Sequence, residues 1–271
     1  MISPLAHIHP DAKIGKNVRV DPFAMIEGIV KIGDGTHIMS GAVIMDHTTI
    51  GRNCKVFPHA VIGAIPQDLK FDGELTTVEI GDNTTVRECV TIHRGTREKW
   101  KTTIGSNCLL MAYCHIAHDC VIGNNVIIAN GVQLAGHVEI GDYAGIGGLA
   151  VAIQFSHIGT HAYISGNSEI VKDVPPFIKV GRKPLSYEGI NAVGLQRRGY
   201  SSERITNIQE IYRIVYLKGL NVSQATARIE REIPNSDEKA EILSFIKTSK
   251  RGIVKHSFHE ACEEKPQIIS K

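Results

Sequence analysis

The chain has 271 residues, of which 42% are hydrophobic and only 6% aromatic, and it contains 26 glycines. Such a chain can bury a large core, but aliphatic side chains must fill it and the backbone must turn often. No stretch approaches the ~18 apolar residues of a membrane-spanning helix, and the first residues lack the basic and apolar segments of a signal peptide. We therefore expect a cytoplasmic protein without integral membrane association.

Aliphatic residues recur every six positions from residue 8 to residue 170. The ladder opens with Ile8, Ile14, Val20, Ile26, Ile32, Ile38, Ile44, Ile50, Val56 and Ile62. It resumes in phase with Ile80, Val86, Ile92, Ile104, Leu110, Ile116, Ile122, Ile128, Leu134, Ile140, Ile146, Ala152, Ile158, Ile164 and Ile170. A period of six contains three strand periods and fits neither an α-helix nor a heptad. Small or polar residues follow most rungs and allow tight corners.

Three six-residue units make one triangular coil of 18 residues, and stacked coils hydrogen-bond to one another as parallel strands. We therefore predict a mainly β protein with a parallel β-helix over residues 1–177. A right-handed β-helix is the competing architecture, although its coils are usually longer and less regular. Left-handedness follows from the resemblance to hexapeptide-repeat proteins and not from the period.

Two polar segments interrupt the ladder, at residues 63–79 and 93–103. They place Asp68, Glu74 and Glu98 at positions that would otherwise belong to the core, so we expect both segments to leave the prism as loops. Long loops on a regular solenoid are usually functional. The repeat is expected to stop at residues 173–177, where Pro175 and Pro176 remove two backbone donors.

Beyond the prism the hydrophobic period becomes helical. The helical positions are Ile208, Ile211, Tyr212 and Val215, and a later helix with Asn235 and Glu238 at its cap would bury Ile242, Phe245 and Ile246. We predict a small helical C-terminal domain at 187–255 and a flexible tail at 256–271. Residues 178–271 carry 17 Lys and Arg against 11 Asp and Glu, a balance of +6. This region could attract an acidic partner, although a solvated helical surface has the same composition.

Histidines cluster in one part of the ladder. His115 and His118 precede Asp119, and His137 lies 19 residues beyond His118, about one coil further on. Neighbouring imidazoles can bind zinc, or one of them can act as a general base that a carboxylate orients. An inert corner histidine is the third possibility, and spacing alone leaves all three open.

Six motifs along the chain are shared with one enzyme family. They are PQDLKF at 66–71, TIHRGT at 91–96, HIAHDC at 115–120, LAGH at 134–137, DVPPF at 173–177 and LQRRG at 195–199. With them the chain resembles, over residues 1–250, the UDP-N-acetylglucosamine O-acyltransferases, which begin lipid A synthesis in Gram-negative bacteria. The resemblance implies transfer of a 3-hydroxyacyl group from acyl carrier protein to the glucosamine 3-hydroxyl of UDP-N-acetylglucosamine.

The resemblance also implies roles for individual residues. His118 matches the family's general base, Asp119 would orient its ring and support the imidazolium, and the Gly136 N–H matches the oxyanion donor. No acyl-enzyme, metal or cofactor is needed beyond the phosphopantetheine thioester of the donor. Asp68 and Lys70 would contact the sugar nucleotide.

The remaining carried-over residues would bind substrate. His115 and His137 would line the sugar and phosphate region, and His93 matches a further active-site position. Gln154 and Asn191 match nucleotide contacts. Arg198 suits the diphosphate and Arg197 the carrier or its phosphopantetheine, because guanidinium groups bind phosphate through two hydrogen bonds. Gly166 matches the family's acyl-length ruler, and its missing side chain would leave room for a long tail.

The family's active sites lie between the prisms of a homotrimer, so these residues need not converge within one chain. The expected partners are acyl carrier protein, the sugar nucleotide and further copies of the chain, with no nucleic acid. Two positions depart from the family pattern. Ile153 stands where the family commonly has His, and Val193 stands where it often has Glu.

Three alternatives remain at this point. An N-acyltransferase acting on a UDP-amino sugar shares the prism, the donor and the base, but it normally carries an extra N-terminal domain. A hexapeptide carbonic anhydrase would use three histidines and zinc to activate water. A structural β-helix without turnover would have little reason to place two histidine motifs one coil apart.

Overall fold

The computed structural model describes residues 1–256. Within that range the strands are β1 (His7–Ile8), β2 (Lys13–Ile14), β3 (Arg19–Val20), β4 (Met25–Ile26), β5 (Val30–Ile32), β6 (His37–Ile38), β7 (Val43–Ile44), β8 (Thr48–Ile50), β9 (Lys55–Val56), β10 (Val61–Ala64), β11 (Thr77–Ile80), β12 (Thr85–Val86), β13 (Thr91–His93), β14 (Lys101–Ile104), β15 (Leu109–Leu110), β16 (His115–Ile116), β17 (Val121–Ile122), β18 (Ile127–Ile128), β19 (Gln133–Leu134), β20 (Glu139–Ile140), β21 (Gly145–Ile146), β22 (Val151–Ala152), β23 (His157–Ile158), β24 (Tyr163–Ile164), β25 (Glu169–Ile170), β26 (Ile178–Gly181) and β27 (Ser186–Ile190). The helices are α1 (Ala192–Arg197), α2 (Ser202–Leu217), α3 (Val222–Glu232) and α4 (Asp237–Thr248).

Every third strand of the prism joins the same sheet, which produces three flat walls. Wall 1 has nine strands from β1 to β25, wall 2 has eight from β2 to β23, and wall 3 has ten from β3 to β27. Most neighbouring coils pair in parallel with an 18-residue offset, as Ile116 does with Leu134. The ladder side chains point inward and are almost fully buried along the prism axis. The repeating β-helix predicted from the period of six is therefore the observed architecture.

Corners between walls adopt a left-handed backbone conformation that recurs from coil to coil. Asp119, His137 and Phe155 have φ values of 59°, 62° and 61° and lie 18 residues apart. A side chain at such a corner stacks on its counterparts in the neighbouring coils, and the His137 and Phe155 rings stack with centroids 4.4 Å apart. This column of corner residues passes through the cluster of histidines.

The two predicted loops are present but shorter than expected. β10 and β11 bound the first loop at 65–76, and β13 and β14 bound the second at 94–100. The predicted limits, 63–79 and 93–103, were too wide because strand pairing extends into polar residues. Lys101, for example, pairs with Thr77 across β14 and β11.

The end of the prism differs from the prediction. β26 continues wall 3 beyond the two prolines by pairing in parallel with β24, and β27 returns antiparallel to β26. The predicted helical domain at 187–255 was therefore wrong at its start, which is a strand, and α1 begins only at Ala192. The cap of α4 is Ser236 and not Asn235. The predicted tail at 256–271 lies, apart from its first residue, outside the described residues.

The helices pack on the end of the prism. α2 buries Ile208, Ile211 and Tyr212, and the Tyr212 hydroxyl donates a 2.6 Å hydrogen bond to the Pro176 carbonyl oxygen. Bridges from Asp173 to Ile253 and from Ser186 to Lys255 return the chain to the prism. In residues 1–256, no helix has the length and apolarity that crossing a membrane requires.

Candidate active site

A histidine and a carboxylate form a buried pair at the corner that follows β16. The Nδ1 atom of His118 lies 2.9 Å from Oδ2 of Asp119, and the two side chains are 8% and 0% exposed. An ionised carboxylate can only accept hydrogen bonds, so the proton of the neutral imidazole resides on Nδ1. The Nε2 atom then carries the lone pair that a general base needs.

Asp119 is held by four donors. The backbone N–H groups of Thr96 and Lys99 donate to Oδ1 at 2.9 and 3.2 Å, and the Thr96 hydroxyl donates to Oδ2 at 2.6 Å beside the His118 bond. Burial by itself would raise the pKa of Asp119, but the hydrogen bonds from His118 and Thr96 outweigh burial and lower the pKa below its ordinary value. The carboxylate is therefore an anion at neutral pH.

Gly136 lies directly against the imidazole, one coil beyond His118. A Cβ atom at this position would be 2.5 Å from Cε1 and 2.6 Å from Nε2 of His118, closer than any real contact. Only glycine lets the backbone approach the ring so closely. Among residues 1–256, the Gly136 N–H has no hydrogen-bond acceptor. It is therefore free to bind an anionic oxygen beside the His118 ring.

A cavity of about 500 Å³ opens in front of this pair. Its lining residues are Gln67, Asp68, Leu69, Lys70, His93, His115, Ala117, His118, Ala135, Gly136 and Gln154. Seven of the residues predicted from the sequence converge here within one chain, with Asp68 and Lys70 supplied by the first loop. This convergence exceeds what was expected for a single chain.

Two further histidines in the cavity are kept neutral. Burial, followed by the neighbouring His115 and His118, lowers the pKa of His93 to about 4. Burial also lowers the pKa of His115, with a contribution from His118. The Thr91 hydroxyl lies 2.7 Å from His115 Nδ1, and the rings of His93 and His115 meet edge to face at 4.8 Å. These imidazoles can bind a sugar hydroxyl without adding positive charge.

His137 lies behind the pair and does not line the cavity. Its ring is perpendicular to that of His118, with centroids 5.1 Å apart. Its Nε2 atom is 3.7 Å from Asp119 Oδ2 and 3.5 Å from Glu98 Oε2. Burial lowers the pKa of His137, while the two carboxylates oppose that effect. A substrate in this cavity would therefore not make the predicted sugar or phosphate contact with His137.

His118, Asp119 and His137 also offer atoms of the types that bind metal ions. Potential ligand atoms of His118, Asp119 and His137 lie within 4.8 Å of one another. The four donors described above fill the lone-pair positions of Asp119, so a cation would have to displace one of them. The arrangement fits an acid–base pair better than a metal centre, and the absence of a metal from the reaction stays a prediction.

The three predicted residues near the helices line a second cleft, of about 800 Å³. Asn191, Arg197 and Arg198 form it together with outward-facing residues of wall 3, and it has no lining residue in common with the first cavity. The Arg198 guanidinium lies 5.0 Å from the centroid of the Tyr143 ring. Val193, one of the two departures from the family pattern, also lines this cleft.

Asn191 has a structural role within this cleft. Its Oδ1 atom accepts a hydrogen bond from Gly194 N at 3.2 Å and caps α1, and its Nδ2 atom donates to the His161 carbonyl oxygen at 2.9 Å. Both ends of the amide are therefore engaged in holding α1 against the prism. Gly166 lines neither cavity, and a Cβ atom there would come 3.1 Å from the Gly148 carbonyl oxygen.

Sequence reasoning missed two threonines that orient this site. Thr91 contacts His115, and Thr96 contacts Asp119. Both belong to the TIHRGT motif, in which only the histidine was singled out. The sequence did offer one indication of their role, since Thr91 and Thr96 stand at the two ends of a motif shared with the family.

Comparison with known proteins identifies the family. A family model described as UDP-N-acetylglucosamine O-acyltransferase, domain 2, matches residues 173–254, and one described as bacterial transferase hexapeptide matches residues 29–64 and 101–136. An acyl-[acyl-carrier-protein]–UDP-N-acetylglucosamine O-acyltransferase of Xanthomonas oryzae pv. oryzae is 44% identical over 94% of this chain and 98% of its own length. The chain belongs to the UDP-N-acetylglucosamine O-acyltransferase family. A protein of the same name from Myxococcus xanthus is 40% identical, with 94% and 99% covered.

Solved structures of the UDP-N-acetylglucosamine O-acyltransferase family agree with this assignment. The acyltransferase from Bacteroides fragilis has a TM-score of 0.93 and 50% identity, covering 94% of this chain and all of the other. The Arabidopsis enzyme has a TM-score of 0.82 and 33% identity, with 94% and 100% covered. These likenesses confirm the predicted left-handed β-helix with its helical C-terminal region, and they confirm that the chain is an acyltransferase.

Proposed function

We propose that this chain transfers an (R)-3-hydroxyacyl group from the phosphopantetheine thioester of acyl carrier protein to the glucosamine 3-hydroxyl of UDP-N-acetylglucosamine. This would be the first step of lipid A biosynthesis. Relatives that match nearly the whole chain carry the name of this activity. The observation that carries the proposal is the buried His118–Asp119 pair, which faces a cavity against the N–H of Gly136, a group without an acceptor among residues 1–256.

The reaction uses these groups in a balanced sequence. His118 Nε2 accepts the proton of the sugar hydroxyl while the hydroxyl oxygen bonds to the thioester carbonyl carbon. The Gly136 N–H donates to the carbonyl oxygen as it becomes negative, a contact worth about 3 kcal/mol in other enzymes. The carbon–sulfur bond then breaks, and the imidazolium returns its proton to the departing thiolate. The products are an ester and a free thiol, and no cofactor or metal takes part.

The lining residues suit the two substrates. Asp68, Lys70, His93 and His115 surround the base and would bind the sugar through hydroxyl and amide contacts. Gln154 lines the same cavity, whereas Asn191 would act on the nucleotide only through the helix that it caps. Arg197 and Arg198 offer two guanidinium groups to phosphate from the second cleft. His137 would reach substrate only in a site completed by another chain.

We propose that the chain works in the cytoplasm and as a homotrimer, and the division of residues between two clefts supports the trimer. The base lies in a cavity bounded by wall 1 and the first loop, while the arginines face wall 3, so neighbouring prisms could bring the two clefts together. Apolar side chains are exposed on all three walls around these coils, with Val121, Ile127 and Val151 each about 40% exposed. The basic helical region would attract an acidic carrier protein.

A transfer assay can show whether the acceptor is a sugar hydroxyl or a sugar amine. Purified chain is given 3-hydroxyacyl carrier proteins of ten to sixteen carbons with either UDP-N-acetylglucosamine or the corresponding 3-amino sugar nucleotide. We expect transfer to the hydroxyl and an ester that mild alkali cleaves. A preference for the amine, giving an alkali-stable amide, would favour the N-acyltransferase alternative. A clear preference for ten-carbon donors would refute the suggestion that Gly166 leaves room for a long tail.

A further inference from the structure

We propose that Thr96 is a positioning residue for the transfer reaction, because its hydroxyl and N–H fix the carboxylate that orients the His118 ring. The inference rests on the proposed function, in which His118 is the base. Thr96 is 5% exposed and lies on the second loop, 23 residues before Asp119. It contacts both oxygens of the carboxylate, at 2.9 Å through its N–H and 2.6 Å through its hydroxyl.

The hydrogen bond from the Thr96 hydroxyl to Asp119 determines the orientation of the His118 ring. Oδ2 of Asp119 accepts from the Thr96 hydroxyl and from His118 Nδ1, whereas Oδ1 accepts two backbone N–H groups. The hydroxyl is therefore the side-chain donor that holds the oxygen facing His118. Without it, the carboxylate can rotate towards its backbone donors, and the imidazole loses its fixed orientation beside Gly136.

The second loop is well anchored, so it can hold the carboxylate in place. The Trp100 N–H donates to the Thr96 carbonyl oxygen at 2.7 Å, and the Lys99 ammonium pairs with Glu139 of wall 2 at 2.5 Å. Gly95 packs so tightly on the Lys101 backbone that a side chain would not fit. The second loop is also tied to the first loop, because the Arg97 guanidinium donates to the Lys70 carbonyl oxygen at 3.1 Å.

The test compares Thr96→Val, which removes the hydroxyl but keeps the shape, with Thr96→Ser, which retains it. Thr36→Val is the matched control, because Thr36 is buried and its hydroxyl donates to the Gly51 carbonyl oxygen and accepts from the Cys54 N–H in the N-terminal coils. We expect kcat of Thr96→Val to fall on the order of 10- to 100-fold, with KM for the sugar nucleotide within about twofold of wild type. Thr96→Ser should recover most of kcat, and Thr36→Val should keep wild-type kcat. Thr96→Ala carries the same expectation if the valine methyl disturbs folding.

A proton NMR measurement tests the geometry without turnover. The His118 Nδ1 proton should give a downfield resonance in wild type that His118→Ala removes. We expect the resonance to shift or vanish in Thr96→Val and to persist in Thr96→Ser and Thr36→Val. An unchanged kcat, or a lower kcat with an unchanged resonance, would overturn the inference. A wild type without transfer activity would refute the proposed function instead, and the resonance would still test the role of Thr96.

Discussion

The chemistry of this site depends on how burial acts on each charged or neutral group. Asp119 is buried yet ionised because four donors surround it, and that anion fixes the tautomer of His118. His93 is buried and His115 half-buried, neither has a carboxylate partner among residues 1–256, and desolvation lowers their pKa values. One ionised group beside a set of neutral imidazoles suits the abstraction of a proton from a neutral hydroxyl.

Gly136 should be intolerant of any side chain because its backbone touches the imidazole. In Gly136→Ala the new methyl group would displace the His118 ring from its contact with Asp119, so we expect kcat to fall about 100-fold. Steady-state kinetics measure the effect. Gly28→Ala is the control, since a Cβ there meets the His9 ring at 2.8 Å far from the site. If kcat fell equally in Gly136→Ala and Gly28→Ala, the contact of Gly136 with the His118 ring would have no special role in the reaction.

At the scale of elements, the sequence predicts the prism and its two loops, but not the loop bounds or the side-chain pairing across them. The six-residue ladder predicts walls and core because each rung repeats the same inward position. The contact of Thr91 with His115 spans 24 residues, since the second loop lengthens that coil beyond 18. A fixed 18-residue offset therefore could not pair these residues. β26 was missed because a four-residue alternation after two prolines carries too little periodicity to be distinguished from a linker.

A stacked column of rings at one corner predicts a dependence of stability on pH. His161 lies between Tyr143 and Phe177, and burial, followed by the charge of Arg198, lowers its pKa to about 4. In the unfolded chain the pKa of this histidine is about 6.5, so the unfolded chain binds more protons than the folded chain between about pH 6.5 and 4. The free energy of unfolding should fall as pH drops through that window.

The variant His161→Phe should remove this acid sensitivity. Phenylalanine keeps the ring stack and removes one contact, since the Nε2 atom of His161 lies 3.4 Å from the Tyr200 hydroxyl while its Nδ1 atom has no hydrogen-bond partner among residues 1–256. Between pH 7.5 and pH 5, the free energy of unfolding should fall by about 2 kcal/mol less in the variant than in wild type. Urea unfolding at both pH values and one protein concentration measures the difference. If the free energy of unfolding fell equally in wild type and His161→Phe, His161 would not be the neutral group that causes the acid sensitivity.

For the whole molecule, the central feature is that the predicted site residues of one chain line two separate clefts. The proposed base and the proposed sugar-binding residues lie in the first cavity, and Arg198 lies in the second. If the site is completed between chains, inactive His118→Ala and Arg198→Ala chains should restore activity when coexpressed, because some interfaces would combine an intact base with an intact arginine. Sedimentation equilibrium should give the mass of three chains. Inactive mixed assemblies would place the whole site within one chain.

The role of His118 is tested most directly by the rate of acyl transfer to UDP-N-acetylglucosamine in wild type and His118→Ala. We expect transfer by wild type and a loss of about 10²- to 10⁴-fold in the variant, with an unchanged circular dichroism spectrum, because the hydroxyl would lose its base. A folded His118→Ala variant that transfers the acyl group within about threefold of the wild-type rate would exclude His118 as the base, since the contribution expected of a general base is far larger.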